Sequence, residues 1–180
     1  SSIAKPCLNF PAKNDITIYE IAYPEVGYGK TKTQEKIMAN IELLEKTLPV
    51  APLKLAALES CKELAQKVND YIVSFRENTI NEVTESPLYV NYRTNNYLVE
   101  CDCPRFGSGE AKGVIKETIR GTDLFIMSDV CNYSLTYSVN GHLNHMSPDD
   151  HFQDIKRVIA ASTGKAHRVN VIMPFLYESR

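Results

Sequence analysis

The stretch SPDDHFQDIKRVIAASTGKAHRVNVIM, residues 147–173, decides the fold. Ser147 suits the N-cap of a helix, Pro148 suits its first position, and the two aspartates that follow favour the positive end of the helix dipole. One face of this helix carries Phe152, Ile155, Ile159 and Ser162. Gly164 is a natural stop, and residues 168–173 have the composition of a buried strand. With a strand predicted at 123–128, this order predicts a right-handed crossover and a partly parallel sheet.

The remaining elements extend this unit on its N-terminal side. Further strands are predicted at 16–22, 97–101, 111–118 and 134–139. A helix is predicted to begin with a capping box formed by Ser60 and Glu63, and a second helix is predicted at 31–48. Two prolines end the second helix near residue 50. We therefore predict a domain boundary there, with residues 1–50 as an N-terminal extension containing one helix and residues 51–180 as an α/β domain.

The composition narrows the class of protein. The 180 residues suffice for one ordinary domain, and a net charge of -2 provides no basic surface for nucleic acid. No apolar run approaches the roughly 20 residues that a bilayer-spanning helix needs, and no signal peptide is recognisable. Five cysteines without paired spacing are typical of reduced thiols. We therefore expect a cytoplasmic protein that binds neither nucleic acid nor a membrane.

Two glycine-containing loops match catalytic motifs only in part. The sequence GKT at 29–31 resembles the end of a phosphate-binding P-loop, but that pattern requires glycine at the position of Pro24. Ser108 is flanked directly by glycines, whereas a nucleophile elbow has one residue between the serine and each glycine. We favour an ordinary turn for the first. The second is a flexible loop that exposes a hydroxyl and a carboxylate beside an aromatic ring, which suits hydrogen bonding to a heterocycle or its ribose.

Histidines and cysteines raise the question of a metal site. His142, His145 and His151 are close in sequence, but a loop brings histidines three residues apart together only if it curls. We favour a polar loop that runs into the helix cap, with metal binding as the alternative. Cys101 and Cys103 alternate along a predicted strand and share a face. Since no second pair is present, we favour packing over redox chemistry for these thiols.

Several segments, read in order, resemble the N-terminal half of ribose-phosphate pyrophosphokinase, also called PRPP synthetase. RFGSGE at 105–110 is similar to a family pattern of the type RFSDGE, and IRGTDLFI at 119–126 is similar to VRG-D-FI. AST at 161–163 and RVNVIMPFLYESR at 168–180 are similar to ASA-RI-VIPYFGYARQD. The resemblance extends upstream to residue 53. PRFGSGEAKG and HLNHMSPDDH look most like a divergent clostridial-type branch.

The resemblance implies a phosphoribosyltransferase-like (Rossmann-like) fold, with a mostly parallel sheet flanked by helices. It also implies a transferase that moves diphosphate from ATP to ribose 5-phosphate and so makes PRPP for nucleotide biosynthesis. Mg²⁺ is the implied cofactor, bound together with ATP. We expect a homo-oligomer, because half of a two-domain α/β protein leaves sheet edges and an apolar face uncovered.

The family motifs assign roles to individual residues. The resemblance implies that Phe106, Ser108 and Glu110 lie in the loop that contacts the adenine of ATP. Ser108 replaces the usual acidic or amide residue, which implies a weaker or water-mediated hydrogen bond to the purine. Arg180 corresponds to an arginine whose guanidinium reaches the ATP phosphates, a role that suits its planar donor fork.

Thr118 and Arg120 match positions of a regulatory phosphate site between subunits, although a surface turn explains Arg120 equally well. The family's metal-associated histidine, catalytic loop and ribose-5-phosphate loop have no counterpart in the 180 residues. We therefore assign no catalytic residue, and we expect the magnesium ligand to lie outside this chain. We expect a fold that is incomplete at its C-terminal end, carries part of an ATP site and is inactive alone. The alternative is a non-catalytic regulatory homologue that binds nucleotide or phosphate and assembles with partner subunits.

Overall fold

A computed structural model describes the backbone of residues 6–10, 16–20, 49–79 and 91–179, and the side chains of residues 49–77 and 91–179. The strands, in chain order, are β1 (Pro6–Phe10), β2 (Ile16–Glu20), β3 (Leu53–Ala57), β4 (Leu98–Val99), β5 (Cys101–Asp102), β6 (Val114–Ile115), β7 (Asp123–Met127), β8 (Thr136–Val139), β9 (His142–His145) and β10 (Arg168–Met173). The described helices are α1 (Lys62–Thr79), which follows a 3-10 turn at Glu59–Cys61, and α2 (Pro148–Ser162).

Six of the described strands form one central sheet, in the order β1-β2-β10-β7-β3-β4. All neighbours from β2 to β4 are parallel, and β1 runs antiparallel to β2. The chain passes from β7 through α2 to the adjacent parallel strand β10, which confirms the predicted strand–helix–strand unit. The protein is therefore an α/β fold with a mostly parallel sheet and helices, as the sequence predicts.

The hydrophobic core lies on both faces of the central strands. On one face, Leu124 and Val171 from neighbouring strands pack in the same cluster as Ile155 and Val158 of α2. On the other face, a smaller cluster joins Ala57, Cys61, Ala65 and Met127. Burial of each large aliphatic side chain contributes roughly 1.5–3 kcal/mol. The two helices are therefore held by apolar contacts with opposite faces of one sheet.

The start of α2 agrees with the prediction from its sequence. The hydroxyl of Ser147 accepts a hydrogen bond from the backbone N–H of Asp150, and the Asp150 carboxylate accepts one from the backbone N–H of Ser147 at 2.9 Å. Burial raises the pKa of Asp150, but the carboxylate accepts hydrogen bonds from the N–H and the hydroxyl of Ser147, and these bonds together with nearby positive charge hold that pKa below its ordinary value. The reciprocal capping box fixes the first turn of α2.

The capping box predicted for the first described helix is wrong. Ser60 lies inside the 3-10 turn, and α1 begins at Lys62. The Ser60 hydroxyl instead accepts a hydrogen bond from the backbone N–H of Asp129 at 3.0 Å and lies 3.3 Å from the Ser128 hydroxyl. A tertiary contact across the ends of β3 and β7 has therefore replaced the local cap.

The polar loop favoured for residues 138–150, which runs into the helix cap, is wrong as far as residue 145. β8 and β9 form an antiparallel hairpin in which Thr136 pairs with His145 and Val139 pairs with His142. The hairpin turns at Asn140 and Gly141, which both have positive φ. Asn-Gly between two strand-forming runs is a strong hairpin signal, because both turn residues accept a left-handed backbone. The Asn-Gly pair therefore indicates this hairpin from the sequence alone.

The N-terminal residues contribute to the same sheet as the rest of the chain. β2 confirms the possible strand at 16–22 and pairs with β10 in parallel, from Ile16 opposite Val169 to Glu20 opposite Met173. The helix predicted at 31–48 and the loop at 29–31 lie outside the described residues. The domain boundary near residue 50 stays a prediction, and two strands from its N-terminal side belong to the central sheet.

A second hairpin, built from β5 and β6, packs against α2 at a glycine. A Cβ atom at Gly113 would lie 2.3 Å from the carbonyl oxygen of Arg157, which is a backbone atom that cannot rotate away. The hairpin therefore approaches the helix more closely than any residue with a side chain allows.

We expect Gly113→Ala to lower the free energy of unfolding by roughly 1–3 kcal/mol, because the hairpin must move away from α2. Gly107→Ala is the matched control, since a Cβ atom at Gly107 meets nothing within 4 Å. Chemical denaturation of both variants measures the difference. Equal stability of Gly113→Ala and wild type would contradict the close approach of the hairpin to α2.

Candidate functional site

The β5–β6 hairpin carries the residues that the sequence analysis assigned to the adenine of ATP. Cys101 pairs with Ile115 at its foot, and an isolated bridge between Arg105 and Ala111 extends the pairing outward. The five residues beyond that bridge, 106–110, form what we call the tip turn. The hairpin thus holds these residues at its far end.

The tip turn is tightly hydrogen-bonded. The backbone N–H of Phe106 donates to the carbonyl of Glu110 at 2.7 Å, and the N–H of Gly109 donates to the carbonyl of Phe106 at 2.9 Å. Gly109 has a φ of 89°, a conformation that favours glycine. The Ser108 hydroxyl lies 3.1 Å from the Glu110 carboxylate. Phe106, Ser108 and Glu110 therefore lie on one hydrogen-bonded turn.

The tip turn exposes these side chains to solvent. The Phe106 side chain is among the exposed large hydrophobic groups, with 53% of the residue accessible. Ser108 and Glu110 are exposed as well. An exposed ring beside a hydroxyl and a carboxylate is suited to stacking on a planar heterocycle while hydrogen-bonding its edge. No large rearrangement is needed to open this surface.

A buried charge cluster, formed by Arg105, Asp154 and Arg157, lies beneath the tip turn. Arg105 Nη2 is 2.9 Å from one carboxylate oxygen of Asp154, and Arg157 Nη1 is 2.5 Å from the other. Burial raises the pKa of Asp154, and the two guanidinium groups oppose that effect. The Arg105 guanidinium also lies over the ring of Tyr137, at 4.8 Å from its centroid. One carboxylate and one aromatic ring thus fix Arg105.

Sequence reasoning missed this cluster. Asp154 lies on α2 beside the predicted apolar face, and it is only 5% exposed. His151, Asp154 and Val158 are all buried at spacings of three and four, so they extend that face. This spacing is visible in the sequence, but the partner Arg105 lies 49 positions away and only the fold identifies it.

A cavity of about 310 Å³ lies beside the charge cluster. It is bounded by the end of β3, the foot of the β5–β6 hairpin, β8 and α2. Its lining includes Ser60, Cys101, Cys103, Arg105, Tyr137 and Asp154. Phe106, Ser108 and Glu110 do not line it. The tip turn and the cavity are therefore separate surfaces that share Arg105 as their neighbour.

The other predicted site residues do not join the tip turn. Thr118 and Arg120 are exposed and lie between β6 and β7, at the opposite end of the hairpin from the tip. Their segment is held by a hydrogen bond from the N–H of Gly121 to the carbonyl of Lys165 at 2.9 Å. Arg180 lies outside the described residues. The structure therefore separates the two predicted sites along the hairpin.

The three histidines do not converge. His142 and His145 lie in β9, where residues three apart point to opposite faces of the strand. His151 is buried in α2, and its Nε2 contacts the carbonyl of Asn132 at 2.7 Å. Within the ranges that the structure describes, no three His, Cys, Asp or Glu residues could hold a metal ion together. We assign no magnesium ligand to these residues.

The two cysteines of the hairpin donate hydrogen bonds to backbone carbonyls. Cys101 Sγ donates to Ala57 at 3.2 Å and Cys103 Sγ donates to Asp154 at 3.8 Å. Burial raises the pKa of Cys101 to about 11 and that of Cys103 to about 12. Both thiols therefore stay protonated near neutral pH, which is the state expected of packing residues.

The parallel sheet with its crossover helix, together with a hairpin that presents the tip turn, defines the class of protein. The chain matches the family model for the N-terminal domain of ribose phosphate pyrophosphokinase over residues 53–180. The protein belongs to that family, whose members are transferases. A comparison with curated proteins found no match. No helix in the described part of the chain has the length and apolar character needed to cross a membrane.

We expect iodoacetamide at pH 8 to modify Cys131 first among the cysteines with described side chains, because it is exposed. Cys101 and Cys103 should react on the order of a hundredfold more slowly, since the thiolate is the nucleophile and burial suppresses it. Raising the pH toward 11 should speed their reaction. Peptide mass spectrometry over time measures each site.

Unfolding the protein in guanidinium chloride provides the control, since all these thiols should then react at similar rates. If Cys101 or Cys103 of the native protein reacted as fast as Cys131, the described burial of the hairpin would be wrong.

Proposed function

We propose that this chain is part of a ribose-phosphate pyrophosphokinase and that its tip turn forms the adenine side of the ATP site. The observation that carries this proposal is the geometry of the tip turn. Within a domain of this family, Phe106 is exposed while Ser108 and Glu110 lie 3.1 Å apart beside it. A ring, a hydroxyl and a carboxylate on one rigid turn match the flat face and polar edge of a purine.

Each side chain has a distinct part in the proposed binding. The Phe106 ring stacks on the face of adenine, an interaction worth about 1–3 kcal/mol for a base on an aromatic side chain. Glu110 accepts a hydrogen bond from the exocyclic amino group, because a carboxylate is an acceptor only. Ser108 either donates to or accepts from the ring edge, directly or through a water molecule. Arg180 is proposed to contact the phosphates, as the family motif implies.

The proposed reaction transfers the β,γ-diphosphoryl group of ATP to ribose 5-phosphate. The 1-hydroxyl oxygen of the sugar bonds to the β-phosphorus, the bond from that phosphorus to the oxygen of the α-phosphate breaks, and AMP leaves while the hydroxyl proton is released. Mg²⁺ bound with ATP supplies charge neutralisation. The tip turn makes and breaks no bond. It contributes by holding the base, and therefore the phosphates, in a fixed orientation.

The remaining assignments are also proposals. Thr118 and Arg120 are exposed at the other end of the hairpin, where a phosphate could reach an arginine without displacing core residues. We propose that they belong to a regulatory phosphate site, that the protein acts in the cytoplasm and that it assembles as a homo-oligomer. Sites at opposite ends of one hairpin allow an effector and ATP to bind together.

We expect Phe106→Ala to weaken ATP binding by about tenfold, because base stacking is lost. Tyr71→Ala is the control, since Tyr71 is also an exposed aromatic residue and lies away from the tip turn, on α1. Isothermal titration calorimetry with ATP measures both variants. Unchanged affinity of Phe106→Ala, or an equal loss in Tyr71→Ala, would contradict the adenine assignment.

The 180-residue chain, incubated with ATP, ribose 5-phosphate and Mg²⁺, is expected to bind nucleotide without releasing AMP. The reason is that neither the described residues nor the motifs of the chain include a cradle for the sugar phosphate. Chromatographic detection of AMP measures turnover, with ATP and Mg²⁺ alone as the control. Substantial AMP release that depends on ribose 5-phosphate would contradict the expected inactivity.

A further inference from the structure

The tip turn has few attachments of its own beyond the close approach of Gly109 to the Val139 side chain of β8. Two strand pairs and one isolated bridge hold the β5–β6 hairpin together, and the turn beyond them is exposed. An isolated two-stranded hairpin is marginally stable in water. The orientation of Phe106 must therefore depend on contacts between the hairpin and the rest of the domain.

Arg105 supplies the buried polar contact nearest to the turn. It directly precedes Phe106, and its backbone forms the bridge to Ala111 that closes the turn. Its side chain points into the domain, where it is only 11% exposed and lies between Asp154 and the ring of Tyr137. Because both the backbone and the side chain of Arg105 are fixed, Arg105 determines the direction in which the chain continues to Phe106.

The Asp154 carboxylate is the group that makes this burial of Arg105 favourable. Its side chain is 8% exposed, and one oxygen is 2.9 Å from Arg105 Nη2. A buried guanidinium without a carboxylate partner pays a large desolvation penalty. Without the carboxylate, movement of Arg105 into solvent would lower the free energy. The backbone at the start of the tip turn would move with it.

We propose that Asp154 is a positioning residue for nucleotide binding, which acts on Phe106 through the ion pair with Arg105. This inference rests on the proposed function, since it assumes that the tip turn contacts adenine. It assigns to a residue of α2 control over how the surface of the tip turn is presented. Tyr137 completes the arrangement, because it covers the Arg105 guanidinium on the β8 side.

Arg157 provides an internal comparison. It binds the other oxygen of the same carboxylate at 2.5 Å, but it belongs to the same helix as Asp154 and has no direct chain connection to the tip turn. Removing Arg157 leaves the pair between Arg105 and Asp154 in place. Removing the Asp154 charge releases Arg105. Both variants disturb the same buried cluster, but only the loss of the Asp154 charge breaks the ion pair that holds Arg105 of the hairpin.

The test compares Asp154→Asn with Arg157→Ala in two measurements. Hydrogen exchange without nucleotide follows the amides of Phe106 and Gly109, which both donate hydrogen bonds within the tip turn. In Asp154→Asn these amides should exchange about tenfold faster, while amides within α1 keep their rates. In Arg157→Ala the tip-turn amides should keep the wild-type rate. Faster exchange throughout the domain would mean general destabilisation and would overturn the proposal.

Calorimetry then measures binding of ATP and of inorganic tripolyphosphate, which has no base. Asp154→Asn should lose about tenfold in affinity for ATP and none for tripolyphosphate, whereas Arg157→Ala should keep both. If Asp154→Asn does not fold, Arg105→Gln removes the same attachment while Asp154 retains Arg157, and it should give the same pattern. Wild-type affinity for ATP and wild-type exchange in the folded variant would overturn the proposal.

The two proposals fail separately. If the wild-type protein binds ATP no better than tripolyphosphate, the proposed adenine contact is wrong, whatever Asp154 does. In that case the exchange rates of Phe106 and Gly109 still show whether the ion pair holds the tip turn. If wild type prefers ATP and Asp154→Asn binds it equally well, the adenine contact stands and the positioning role of Asp154 is wrong.

Discussion

The β5–β6 hairpin lies directly against α2 because Gly113 has no side chain where the carbonyl oxygen of Arg157 approaches. The same two elements are joined by the ion pair from Arg105 to the buried carboxylate of Asp154. A glycine contact brings the backbones together, and a charge pair sets their relative position. The cavity beside the charge cluster is lined by residues from both elements, among them Arg105 and Asp154. The contact between the hairpin and α2 is the constraint that converts a weak two-stranded hairpin into a rigid support.

A second charge pair stabilises the opposite end of the domain. Arg168 at the start of β10 and Asp123 at the start of β7 are register partners, and the guanidinium binds both carboxylate oxygens, at 2.8 and 2.5 Å. The Asn170 amide donates to the same carboxylate at 2.7 Å from within the core. This network aligns β7 with β10 where both strands begin. At the other end, Ser60 and Ser128 contact each other just beyond the carboxyl ends of β3 and β7. Polar contacts therefore order the two ends of the central parallel strands, while apolar packing holds the two faces of the sheet.

Some features of the candidate site depend on residues that are neighbours in the sequence, and others depend on residues far apart in the chain. The turn at 106–110 could be predicted as a unit, because its glycines and its family pattern are contiguous. The packing that supports this turn could not be predicted, because Asp154 and Tyr137 come from α2 and β8. The hairpin at β8 and β9 was predictable from Asn140 and Gly141, which are a known turn pair. Ser60 misled the prediction because a local capping pattern competed with a tertiary hydrogen bond to Asp129, and the tertiary contact prevailed.

The RFGSGE motif and the strand–helix–strand unit at the C-terminal end were therefore determined by sequence alone, together with the family they indicate. Helix caps, alternating burial and glycine turns each involve only a few consecutive residues. Their patterns can therefore be recognised in the sequence without knowledge of the tertiary structure. Only the tertiary structure decided which charged side chains are buried and that β2 pairs with β10. Those outcomes depend on residues far apart in the chain, and the free energy of a buried ion pair depends on the groups that surround it. The fold class follows from local patterns, whereas the support beneath the tip turn follows from the packing of α2.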